Sequence, residues 1–144
     1  MKKLPHHYSA IASASTQGDV SLSSSGLETI QSAPPKDFGG PGDKWSPETL
    51  LVSAIADCFV LSFRAIARAS KLEWKFLDCE VQGVLDKSDG VTQFISFTVS
   101  ASLLVSNETS TERADKILDK AEKFCLITNS LSAEVHLVKD VTQS

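Results

Sequence analysis

Three cysteines are all that 144 residues carry, and they are widely spaced with no CxxC pair among them. An odd, scattered set does not make the disulfide framework of a small secreted domain. Without a matching His spacing it does not hold zinc either, so no metal or other cofactor is implied. Basic charge is also short, with 14 Lys and Arg against 18 Asp and Glu and a net charge of -4. No basic field invites nucleic acid, and no Lys/Arg cluster follows an apolar segment as a membrane-surface anchor would. The head of the chain lacks an export signal's continuous apolar region, since Pro5, His6 and His7 follow Met1-Lys2-Lys3. The expected location is therefore the cytoplasm. Nor does any apolar run reach the roughly 20 residues that cross a bilayer. Hydrophobic residues are ample at 42%, enough for a single domain over residues 1–144 with a core of its own.

The longest apolar stretch is Leu50 to Phe63, in which only Ser53, Asp57 and Ser62 are polar. A helix starts cleanly before it. Ser46 suits the N-cap, Pro47 the first helical position, and Glu48 the positive end of the helix dipole. A helix without a solvated face is normally buried, so this one is expected at the centre of the fold, running through Arg64, Arg68 and Lys71 to an end near Leu72. A small domain does not easily cover every face of one helix, which favours a homodimer. Asp57, the one charge within the run, is expected to hydrogen-bond at a helix end, a loop or a dimer contact, because a buried charge has to be paired.

Ahead of the helix, Tyr8 to Ser15 and Val20 to Ser24 alternate around a Gly18-Asp19 turn and read as a hairpin, followed by a third short strand from Leu27 to Gln31. Pro and Gly punctuate Ala33 to Lys44, excluding helix and central strand. A loop of this length is more often functional than not, with a plain covering loop as the alternative. Beyond the helix, Phe76 to Asp86 and Val91 to Val105 form a hairpin through Asp89-Gly90. Leu77, Cys79, Val81, Gly83 and Leu85 share one face and Asp78, Glu80 and Gln82 the other, which makes Cys79 a small buried hydrophobe. Thr109-Ser110-Thr111-Glu112 fits a capping box opening a second helix, with Ala114, Ile117, Leu118, Ala121 and Phe124 or Cys125 inward. Ala133 to Val138, with His136, is the last strand. This order argues for an α+β fold with helices on one side of an antiparallel sheet.

Chemistry rests on Cys58 and Cys125. Both fall on apolar helical faces, and free cysteine is among the most buried residue types, so structural and functional roles are about equally open from the residues alone.

A set of motifs in order adds to this: Pro34-Pro35-Lys36-Asp37-Phe38-Gly39-Gly40-Pro41-Gly42, then Ser46-Pro47-Glu48, then Cys58 ten residues after Glu48, then Cys125-Leu126-Ile127-Thr128-Asn129-Ser130-Leu131. Together they resemble the organic hydroperoxide resistance branch of the OsmC family, nearly end to end. The resemblance implies an OsmC-like α+β fold, antiparallel sheets packed against a long helix, in an intertwined homodimer. It also implies a thiol peroxidase in which Cys58 attacks an organic hydroperoxide, becomes a sulfenic acid and closes a disulfide with Cys125. A dithiol, with lipoylated proteins preferred in that branch, would reduce the disulfide. Cys79 matches neither role.

The resemblance further implies an arginine in the first hairpin turn, held by the glutamate that matches Glu48. Here the turn reads Thr16-Gln17-Gly18-Asp19, and the first arginine is Arg64. A thiol of ordinary pKa, about 8.5, is mostly protonated at neutral pH, and apolar surroundings raise it further, so a cation must be supplied. Lys36 and Lys44 on the preceding loop are the substitute candidates, and both read equally well as solvated loop lysines. Glu48 has a plain reading as a helix-start carboxylate. Ten residues of helix rise ~15 Å, so a bridging side chain or the partner subunit would have to connect it with Cys58. A non-catalytic small-molecule-binding member of the same fold and a thiol redox sensor are the competing readings.

Overall fold

Alternation in the head of the chain yields three short strands, β1 (Ile11–Ser13), β2 (Val20–Ser23) and β3 (Ile30–Ser32), paired antiparallel in that order. The computed structural model describes all 144 residues. β1 and β2 fall within the expected runs, whereas β3 starts three residues later than expected and ends one residue later. The loop after β3 is not free of helix, because Lys36–Phe38 make one 3₁₀ turn that ends on Gly39 at φ 83°. Gly40 has to be glycine: a Cβ there would lie 1.7 Å from the Pro34 carbonyl oxygen. The loop returns alongside its own start, where the Ala33 N–H donates to the Trp45 carbonyl at 2.9 Å.

Ser46 caps the long helix α1 (Pro47–Ala69) as its residue type requires. The Thr49 N–H donates to Ser46 Oγ at 3.1 Å and the Ser46 N–H donates to Thr49 Oγ1 at 2.8 Å. Two helix-start donors are thereby satisfied reciprocally, with Thr49 in the place a capping-box Glu usually fills. The helix ends at Ala69, short of the expected Leu72. Lys71 turns left-handed at φ 56°, while the Leu72 N–H reaches back to the Ala67 carbonyl and the Lys71 N–H to that of Arg68. That pair of bonds is a Schellman stop, here without the usual glycine. At 23 residues, α1 is long and apolar enough to cross a membrane by length and composition alone, which corrects the expectation that the run was too short. It is also not buried all round. Ile55, Phe59, Phe63 and Ala67, four residues apart, are buried, while Asp57, Leu61, Arg64 and Arg68 are exposed. Asp57 therefore needs no buried partner.

Contacts divide the chain into two units, Met1–Leu51 and Val52–Ser144. In the first, only Ser32, Ala33 and Ser46 are buried, whereas Tyr8, Ile11, Leu27, Phe38 and Trp45 are half or more exposed. The second holds a sheet of order β4 (Phe76–Ser88), β5 (Val91–Val105), β6 (Glu134–Gln143) with α2 (Thr111–Lys123) and α3 (Leu126–Asn129) between β5 and β6. Asp89 and Gly90, at φ 51° and 78°, make the expected tight turn of the β4–β5 hairpin. β6 instead runs parallel to β5, so this sheet is mixed rather than antiparallel. The crossover through α2 returns the chain to the same end of the sheet, as parallel pairing requires.

The buried face of β5 is Phe97, Val99, Ala101, Leu103 and Val105. Gly83, opposite Phe97, leaves room for the Phe94 and Phe97 rings, which stack at 5.0 Å; a Cβ there would come within 2.9 Å of both. A register shift between Val84 and Leu85 turns Leu85 outward, against the simple alternation. On α2 the cap is Ser110, one residue later than the capping box implied, with its Oγ accepting the Arg113 N–H at 3.2 Å. Ala114, Ile117, Leu118 and Ala121 are buried as expected, and of the last pair Cys125 points in while Phe124 is 58% exposed. Lys139 of β6 ties the helix down, with Nζ 2.7 Å from both Asp115 and Asp119.

Candidate active site

Cys58 stands half-buried in α1, and Ser62, one turn on, places its Oγ 4.0 Å from the Cys58 sulfur. Cys125 occupies the break between α2 and α3. Its own N–H closes α2 on the Glu122 carbonyl, and its carbonyl accepts from the Asn129 N–H at 3.0 Å and the Thr128 hydroxyl at 3.3 Å to open α3. Extended backbone at Cys125, φ -67° and ψ 111°, separates the two helices. Only 1% of the residue is exposed.

The structure brings these two thiols together. Burial raises the Cys125 pKa first; the Thr128 hydroxyl and N–H pull the other way, and hydrogen bonding and charge from Cys58 hold the proton on. Cys125 thus stays a neutral thiol facing a more accessible one. Cys79, on the helix-facing side of β4 opposite the buried Ala101, is near enough to sense the Cys125 charge. All three cysteines are free.

Burial, and after it Cys125, push Cys79 from 9.0 up to about 11. Cys79 therefore keeps its proton in the fold at pH values where an unfolded thiol, at about 8.5, has lost it. The folded state then binds the extra proton, so this stabilisation is present below the unfolded value and is lost as pH rises toward the folded one. We expect the urea midpoint to fall as pH rises from 8 to 10.5, with this group contributing a loss of on the order of 1 kcal/mol once its partial exposure to solvent is allowed for. The fall should shrink in Cys79→Ala; an unchanged pH profile in that variant would contradict the assignment.

Glu48, Lys36 and Lys44 belong to the first unit. Lys44 lies 3.7 Å from Asp19, and the Lys36 stem runs along Gly42. Glu48 is half-buried in the first turn of α1, with Oε1 buried and without a hydrogen-bond partner. No ion pair within the chain reaches it.

The family model of the OsmC-like proteins matches residues 40–138, which takes in the end of the loop, α1 and both cysteines of the pair. The chain belongs to the OsmC-like family. Among similar proteins is the uncharacterized protein YmaD of Bacillus subtilis (strain 168), 27% identical over 136 residues, 92% of this chain and 91% of that one. An OsmC-like protein of unknown function from Vibrio cholerae superposes with a TM-score of 0.85 at 19% identity, covering 96% of this chain and all of the other. An organic hydroperoxide resistance protein from Elizabethkingia anophelis does so with a TM-score of 0.79 at 18% identity, covering all of both chains. At such identities the likeness shows the fold. This OsmC-like protein therefore has the α+β architecture that the motifs implied, and α1 is the long core helix of that fold rather than a membrane span.

Two neighbours of the thiols escaped the sequence reading. Ser62 lies four residues after Cys58, and Thr128 three after Cys125. Both spacings place a hydroxyl on the cysteine's own side of a helix or cap. That signal was available, but serine and threonine at such spacing are too common to single out.

Proposed function

We propose that this OsmC-like protein reduces organic hydroperoxides with Cys58 as the attacking thiolate and Cys125 as the resolving thiol. The observation that carries the reading is the facing pair, one sulfur accessible and the other buried and held protonated. The Cys58 thiolate attacks the distal peroxide oxygen, the O–O bond breaks, and the alkoxide leaves as an alcohol after taking a proton. The sulfenic acid then meets Cys125: the S–S bond forms, and hydroxide leaves as water with the Cys125 proton. An external dithiol, of which a lipoylated protein is one, returns both thiols. Glu48, with Lys36 or Lys44 as the cation that favours the Cys58 thiolate, completes the proposed machinery.

Two further parts of the reading have physical support. A three-stranded sheet with three buried residues in its unit does not carry its own core. We therefore read residues 1–144 as one domain whose exposed apolar side chains are covered in a homodimer. A dithiol-driven cycle suits the reducing cytoplasm.

The experiment is peptide mapping after one equivalent of cumene hydroperoxide. It should find Cys58 joined to Cys125 within one chain and Cys79 still reduced. A disulfide through Cys79, or none at all, would overturn the assignment.

A further inference from the structure

Ser62 lies one turn after Cys58 on the same side of α1, and both residues are half-buried. A serine in or at the end of a helix commonly gives its hydroxyl to the carbonyl four residues back, as Ser130 does to Leu126 at 2.8 Å. Ser62 turns instead to the Cys58 sulfur, 4.0 Å from its Oγ. While Cys58 is a thiol, either group can donate. Once the proton leaves, the thiolate only accepts, so the hydroxyl must be the donor. A hydrogen bond to a charged acceptor is also shorter and stronger than one to a neutral group.

Little else in this unit offers that charge a partner. Cys58 lies far beyond the first turn of α1, where the helix dipole acts, and Asp57 and Arg64 of the same helix are exposed. The titratable group facing Cys58 from another element is Cys125, which keeps its proton and whose S–H is a weak donor; Cys79 of β4 acts on Cys125. We propose that Ser62 is a further catalytic residue, its hydroxyl donating to the Cys58 thiolate and holding it in the anionic form that attacks. No proton leaves Ser62 at any step. Its catalytic part rests on the peroxidase reading, whereas the bond itself is measured with no peroxide present.

The test is the rate of Cys58 alkylation by iodoacetamide at pH 7 and at pH 10, read on the Cys58 peptide by mass so that the other thiols do not contribute. The ratio of the two rates cancels any change in access to the sulfur and reports the share of thiolate at pH 7. In Ser62→Ala that ratio should rise about fivefold, the net worth of one hydrogen bond. Alanine is the best helix former, so the variant keeps α1. Ser62→Thr retains the hydroxyl and should keep the wild-type ratio, and hydroperoxide consumption at pH 7 should fall in S62A and return in S62T. An unchanged ratio in S62A, or a rise in S62T as large as in S62A, would overturn the proposal. Should the ratio rise in S62A alone while the wild-type protein consumes no hydroperoxide, the donor stands and the peroxidase reading goes.

Discussion

Cys58→Ser should abolish hydroperoxide consumption driven by a dithiol, a loss of at least about 10³-fold, because a serine hydroxyl at neutral pH does not become the anion that attacks the O–O bond. Cys125→Ser should behave differently. Its first turnover survives, since Cys58 remains, but the sulfenic acid then has no neighbour to condense with and advances to sulfinic acid under excess peroxide. The contrast follows from geometry: Cys58 is accessible and beside Ser62, whereas Cys125 is 1% exposed and keeps its proton. Stopped-flow consumption of cumene hydroperoxide, with mass analysis of the protein, separates the two. Equal first-turnover loss in both variants would mean that the thiols act as a unit from the start. Full activity in Cys58→Ser would remove the peroxidase reading.

Phe63→Ala should be the most damaging single core substitution that leaves the chemistry untouched. Phe63 is fully buried on the inward stripe of α1, and its ring meets Trp74 edge-on at 5.2 Å between centroids. Removing a buried aromatic costs about 3–5 kcal/mol through lost transfer energy and the cavity left behind. Against a typical total of roughly 5–15 kcal/mol this is a large share. In a chain of 144 residues it should lower Tm by about 10 °C or more. Differential scanning calorimetry checks it, and a shift of only a few degrees would show that the site collapses or refills. Leu61, on the same helix but 51% exposed, gives the control. Its truncation costs little unless a second copy covers it, so a Tm loss that depends on protein concentration would report the dimer.

Local signals were the legible part of this protein. Ser46 and Pro47 open α1 where their side-chain and ring chemistry demand, Asp89-Gly90 turns the hairpin, and the 3.6 period of Ala114, Ile117, Leu118 and Ala121 marks the buried face of α2. These depend on interactions within a few residues, which sequence spacing reports directly. The motif order of the loop, Glu48 and the two cysteines also carried the family, since each element keeps its place along the chain. Less legible was which face of α1 is wet. Between Leu50 and Phe63 Asp57 is the one charge, so over that stretch hydropathy does not distinguish a side packed on neighbours from one left open.

What the sequence by itself determined is the set of local starts, stops and turns, the α+β class and the presence of two well-placed thiols. Only the tertiary structure decided that β6 lies parallel to β5, that Cys79 joins the neighbourhood of Cys125, and that Glu48 keeps one oxygen buried and bare. The reason is range. Strand direction depends on where the α2 crossover returns, and the surroundings of a thiol or carboxylate depend on groups far away in sequence. A one-residue register shift such as that at Val84 and Leu85 reverses a side chain's face without any local mark in composition.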